Sequence, residues 1–146
     1  MGKIKIEINN LTRKKIILGF LKKVAEQILS LNKLGIKNLK KFSELSVAVV
    51  GDKEMIKLNK KHRNRNYTTD VLAFDYGLQF GGQGEIIICL DQAKRQAKEL
   101  NNVLKEELSI LLVHGMLHLA GYDDKTKKDF NKMLKKQKEV WQKIIL

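Results

Sequence analysis

Residues 114–124 read HGMLHLAGYDD and hold two of the three histidines in the chain. On a helix, residues i and i+4 share a face one turn apart, so His114 and His118 can aim at a common atom. Imidazole nitrogen binds zinc at about 2.0–2.1 Å, and such a pair supplies two of the three protein ligands usual in a catalytic zinc site. A helix that merely packs two hydrogen-bonded histidines shares that spacing, so the neighbours decide. Gly121 suits the left-handed cap that reverses a chain after a helix. Asp124, three residues beyond it, falls where the extended zinc motif H-E-x-x-H-x-x-G-x-x-H has its last histidine. Carboxylate oxygen binds zinc at about 2.0–2.2 Å. Asp123 is the neighbouring alternative, and the register favours Asp124. The motif's glutamate, general base of the zinc proteases, is missing. Gly115 stands in its place, with Glu106 and Glu107 two turns upstream. The pattern predicts a metal site and disfavours peptide hydrolysis.

A second stretch, LNKKHRNRNYTTDVLAF at 58–74, bears a different chemistry. From Lys57 to Arg65 the cations are Lys57, Lys60, Lys61, Arg63 and Arg65, with no acid among them. Charge runs are commonly solvated connections. Beside a metal, however, an arginine braces phosphate through a forked pair of N–H donors. His62 lies in the same run, where a role in contacting a phosphate-bearing ligand or in solvent is favoured over a third imidazole ligand. Thr69 and Asp70 fit the start of a strand, fixing a turn by side-chain hydrogen bonds.

The elements that must place these residues follow from periodicity. KIKIEI at 3–8 alternates as a half-buried strand does. Apolar residues from Thr12 to about Leu31 recur at helical spacing, with Gly35 as a break. SVAVVGD at 46–52 predicts a buried strand and EMIKLNKK at 54–61 a short helix. VLAFDYG at 71–77 and EIIICL at 85–90 predict two more strands, joined by the glycine-containing LQFGGQG. DQAKRQAKEL at 91–100 predicts a helix that Asp91 could cap. Residues 103–121 are apolar on more than one face, as a central buried helix is, and the apolar stripe from Phe130 to Ile145 predicts a last one. The order β-α-β-α-β-β-α-α-α predicts an α/β (α+β) fold, a small four-stranded mixed sheet covered by about five or six helices.

Composition narrows the function. The 146 residues suit one domain, and a hydrophobic fraction of 43% suffices for a packed core. No apolar run reaches the roughly 20 residues that span a bilayer, and the amino terminus lacks the apolar block of a signal peptide. Cys89, the single cysteine, excludes an internal disulfide and favours a reducing, cytoplasmic setting. In EIIICL it reads as a small buried hydrophobe. A net charge of +13, from 29 Lys and Arg against 16 Asp and Glu, attracts polyanions, of which nucleic acid is the commonest in a cytosol. A lysine-rich solubility surface is the plainer alternative.

HGMLHLAGYDD and LNKKHRNRNYTTDVLAF together resemble the YbeY family of metal-dependent single-strand endoribonucleases, which act in ribosomal RNA maturation. The family signature HGxLHLxGYDH agrees at every specified position except the last, where Asp124 stands. Leu58, Asn59, Arg63, Thr69, Asp70, Val71, Leu72 and Phe74 match LNxxYRxxxxPTDVLSF, while His62, Thr68 and Ala73 replace its tyrosine, proline and serine. Gly84, Glu85 and Ile86 are similar to a third element, G-D-I. The resemblance runs the length of the chain and implies one domain over 1–146. It implies one zinc-like ion at His114 and His118, with Asp124 in the position of the third ligand, and Arg63 as the catalytic basic residue. The implied substrate is single-stranded RNA, in rRNA or ribosomal particles, with neither DNA nor membrane as partner. A zinc metalloprotease and a non-catalytic RNA-binding assembly factor are the competing classes.

Overall fold

A computed structural model describes residues 4–31, 36–63 and 69–146, without the side chains of Lys37 and Arg63. The chain runs β1 (Lys5–Asn10), α1 (Phe20–Leu29), β2 (Glu44–Val50), α2 (Asp52–Arg63), β3 (Val71–Asp75), β4 (Gln83–Cys89), α3 (Leu90–Glu99), α4 (Leu104–Leu119) and α5 (Lys127–Trp141). Short 3-10 turns stand at Lys37–Lys41 and Leu78–Phe80. The sheet order is β1-β2-β4-β3. Strands β1, β2 and β4 are parallel, and β3 closes one edge antiparallel to β4. This is the expected four-stranded mixed sheet with helices around it.

Strands β2 and β4 are apolar on both sides because both faces of the sheet are covered. Val47, Val49, Ile86, Ile88 and Val71 join the core formed with α1 and α4. Ala48, Val50, Leu72, Ile87 and Cys89 form a second cluster with Met55 of α2. Cys89 is fully buried, and burial pushes its thiol up to about 12. Helix α4 packs on α1, α3 and α5 as well as on β3 and β4, which explains its apolar residues all round.

Two boundaries and one cap differ from the sequence expectation. Helix α1 begins at Phe20, not Thr12, because Asn10 holds the intervening chain in a turn. Its Oδ1 accepts from the Thr12 amide at 3.0 Å, and its Nδ2 donates to the Lys14 carbonyl at 2.9 Å. Helix α2 runs two residues past the expected 54–61, to Arg63, so the basic run is helical as far as that residue. Met55, Leu58 and Asn59 turn inward at helical spacing, leaving Lys57, Lys60 and Lys61 exposed. Asp91 caps a different helix from its own. Its Oδ2 accepts from the amide of Asp52, at the start of α2, at 2.8 Å.

Helix α4 lies close on the sheet at Gly115. A Cβ there would stand 2.8 Å from Ile86 Cγ2 and 3.2 Å from Val71 Cγ2. Ile86 is fully buried in mid-strand and has nowhere to go. Overpacking of this kind costs about 1–3 kcal/mol, against which alanine's better helix propensity returns about 1. Gly115→Ala should therefore lose up to about 2 kcal/mol and lower the urea midpoint. An unchanged or raised midpoint would show that α4 can lift without cost.

Near the amino end of α4, Glu107 is buried, and its carboxyl is pushed up chiefly by that burial. A hydrogen bond with Asn102 opposes the shift, and the charge of Asp70 adds to it. Such a group contributes stability fully below the usual Glu value of about 4.3 and loses it as pH rises through the folded value. Glu107→Gln should gain stability relative to the native protein as pH rises from about 4 to 7. Parallel urea midpoints across that range would contradict this assignment.

Candidate metal centre

The site is built at the carboxyl end of α4. Gly121 takes φ +102°, a left-handed conformation that an L side chain rarely adopts. Its amide donates to the His118 carbonyl, and that of Tyr122 to the Leu117 carbonyl. These are the two bonds of a Schellman cap. Asn38 Nδ2 adds a hydrogen bond to the Ala120 carbonyl. The reversed chain carries Asp124 back toward the histidines it follows.

His114 and His118 are both half-buried, and their Nε2 atoms stand 3.1 Å apart with the rings nearly perpendicular. Asp124 Oδ2 lies 3.9 Å from His118 Nε2, and the three ligand atoms fall within 4.8 Å of one another. Two nitrogens at zinc–nitrogen distance around a tetrahedral ion would be about 3.3 Å apart, close to the spacing found. Asp124 is exposed, and at 3.9 Å from His118 Nε2 its Oδ2 stands just outside that spacing. Asp123 is engaged elsewhere, its Oδ1 accepting from the Lys125 amide at 2.9 Å. Among the described residues, the cluster is His114, His118 and Asp124.

The hydrogen bonds behind the imidazoles fix their chemistry. His118 Nδ1 faces the Tyr122 carbonyl at 3.1 Å, and His114 Nδ1 faces Gln137 Oε1 at 2.7 Å. Both oxygens are acceptors, so both Nδ1 atoms carry the proton in the neutral rings, and both Nε2 atoms present lone pairs. Two lone pairs at 3.1 Å repel unless a cation or proton sits between them. The donor set therefore fits a divalent ion, and this cluster could hold one. The exposed carboxylate supplies charge, and the two outer partners set ring orientation.

Gln137 went unnoticed in the sequence. It lies on α5, and only the packing of α5 on α4 brings it to His114. Removing such an outer partner typically costs 10–100-fold in metal affinity. Gln137→Ala should weaken zinc binding by about that factor, measured by competition with a chromophoric chelator. Native affinity in the variant would mean that the ring needs no such support.

The other expected residues are placed separately. His62, exposed on α2, lies with its ring 4.7 Å from that of Phe74. Phe74 packs on the α2 side of the sheet and Gly115 on the other, so His62 does not join the cluster. Arg63 is the last residue of α2, and its side chain lies outside the described residues, as do residues 64–68 with Arg65. Asp70 stands just before β3, at the strand start expected, but its side chain ties to α3 instead of fixing a turn. Its carbonyl accepts from the Cys89 amide, and its Oδ2 accepts from Gln96 Nε2 at 3.3 Å. Gly115 explains the missing protease base, since that position presses on the sheet with no room for a glutamate. No helix among the described residues is long and apolar enough to cross a membrane.

Fold and cluster define an α+β protein with a two-histidine, one-carboxylate donor set at the end of a buried helix. The family model described as Endoribonuclease YbeY matches residues 7–145. A relative of that name from Aquifex aeolicus is 43% identical over 116 residues, 77% of this chain and 73% of its own. One from Petrotoga mobilis is 34% identical and covers 95% of this chain and 90% of its own. The solution structure of TM1509 from Thermotoga maritima superposes with a TM-score of 0.60 at 29% identity, over 94% of this chain and 87% of that one. The chain belongs to the YbeY family.

Proposed function

We propose that this chain is a metal-dependent endoribonuclease that cuts single-stranded RNA in the cytoplasm, in rRNA maturation and ribosome quality control. The observation that carries the reading is the meeting of His114, His118 and Asp124 at the end of α4 in a chain of this family. Residues 1–146 act as one domain, and zinc is the ion we assign. A bound divalent cation supplies Lewis-acid polarisation of a phosphoryl oxygen and acidifies water near neutral pH. The chain's own residues do the rest. Gln137 and the Tyr122 carbonyl hold the two imidazoles in the tautomer that turns both Nε2 lone pairs toward the ion site. Asp124 contributes a negative charge where a third imidazole would be neutral. That lowers the net charge of the centre by one unit and admits metals that prefer oxygen ligands.

Arg63 stabilises the charge that builds on the scissile phosphate, and Lys57, Lys60 and Lys61 follow the backbone without reading sequence. Peptide hydrolysis is disfavoured by the packing at Gly115. Metal-loaded protein assayed on labelled RNA and on casein, with and without chelator, separates the classes. Chelator-sensitive RNA cleavage with intact casein is expected. Casein cleavage would point to a protease, and RNA binding without cleavage to an assembly factor.

A further inference from the structure

The carboxyl end of the parallel strands carries a cavity of its own. Helix α1, which follows β1, packs in the core on one face, whereas α2, which follows β2, packs on the other. Connections that leave neighbouring parallel strands toward opposite faces open a crevice at the strands' carboxyl ends, the usual ligand position in open α/β sheets. Here that crevice has a volume of 440 Å³, between the turn after β1 and the first turns of α2. Arg13 and Lys14 line it from the first side, Lys53 and Lys57 from the second. All four are exposed, and none makes an ion pair among the described residues.

The acids at this crevice are largely engaged. Asp52 is gripped by both terminal nitrogens of Arg95, at 2.8 and 2.7 Å. Asp91 accepts from the Asp52 amide, and Glu54 stands at the rim with no ion pair among the described residues. The Asn10 bonds to Thr12 and Lys14 hold the turn that presents Arg13 and Lys14. This is a surplus of cations on two fixed elements around a cavity, not a diffuse lysine surface.

The crevice is remote from the metal centre. Leu119, near the end of α4, touches the Gly84 position at the start of β4, whereas the crevice includes Leu90 and Asp91, just beyond its end. Strand β4 has seven residues. At about 3.3 Å per residue the two sites are roughly 20 Å apart.

We infer that this crevice binds phosphate and anchors an RNA strand at a distance from the cleavage centre. The strand's identity rests on the endoribonuclease reading, whereas the phosphate chemistry does not. A free phosphate compound is the other source of the same group. Fluorescence anisotropy in chelator, with no cleavage, tests the anchor. The probes are single-stranded RNAs of about 4 and about 16 nucleotides, the range of known single-strand footprints.

The variant is Arg13→Ala/Lys14→Ala/Lys53→Ala. The control, Lys135→Ala/Lys138→Ala/Lys143→Ala, removes the same charge from exposed positions in and just after α5. The crevice variant should weaken the long RNA tenfold or more and lower its log–log salt slope by about 2, at about 0.7 per phosphate contact. The short RNA and the control should change little. Equal weakening by both triple variants would reduce the effect to net charge and overturn the anchor. Inorganic phosphate, followed by amide chemical shifts at Gly51, Lys53 and Lys57, tests the site even if the protein binds no RNA. Shifts there without a length effect would keep the phosphate site and make a free phosphate compound its ligand. No shifts and no length effect would dismiss it.

Discussion

Replacing His114 and His118 together by alanine is expected to take metal content from about one divalent ion per chain to almost none. A single exposed carboxylate, Asp124, then remains of the three donors that lie within 4.8 Å. Cleavage should fall with it by about 10³ or more, because Lewis-acid stabilisation worth several kcal/mol disappears. Both rings are only half-buried at the end of α4, so the fold should persist, and circular dichroism checks that directly. Elemental analysis of the purified variant reads the main result. Native metal content in the folded variant would mean that the ion sits elsewhere.

Arg63→Ala should spare both fold and metal and still lose most cleavage. Arg63 ends α2, and its neighbours Lys57, Lys60 and Lys61 already supply exposed positive charge. A guanidinium adds direction, through paired donors that match phosphate oxygens. Losing one donor aimed at transition-state charge typically costs roughly 10²–10³ in rate, with little change in ground-state binding. Single-turnover cleavage and anisotropy, measured side by side, should show that split. Arg63→Lys should recover little, and Lys60→Ala should weaken binding more than rate. A folded, metal-loaded Arg63→Ala protein that cleaves at a near-native rate would remove Arg63 from the chemistry.

What could be read from sequence here follows the range of the interaction. The alternation at Ile4, Ile6 and Ile8 and the apolar runs 46–50 and 85–90 report burial along single strands, and the element order followed from them. The spacing of His114, His118, Gly121 and Asp124 is local to one helix and its cap, so the donor set was legible before any contact was known. The end of α2 was legible to within two residues: Met55, Leu58 and Asn59 turn inward at helical spacing, and the helix expected over 54–61 closes at Arg63. The start of α1 was hidden because Asn10 bonds its own neighbours instead of opening a helix.

Contacts between distant segments left no trace at all. Gln137 reaches His114 from α5, and Asp91 caps α2 across the sheet end. Gly115 shows both sides of this limit. The absence of glutamate was plain in the sequence, but its cause, the 2.8 Å approach of Ile86, belongs to the fold.

The most direct test is a zinc titration of chelator-stripped protein, with cleavage of a labelled single-stranded RNA as readout. The account predicts no cleavage without metal, a rise with added zinc and a plateau at one equivalent per chain. Full cleavage by the stripped protein, unchanged by zinc, would contradict it.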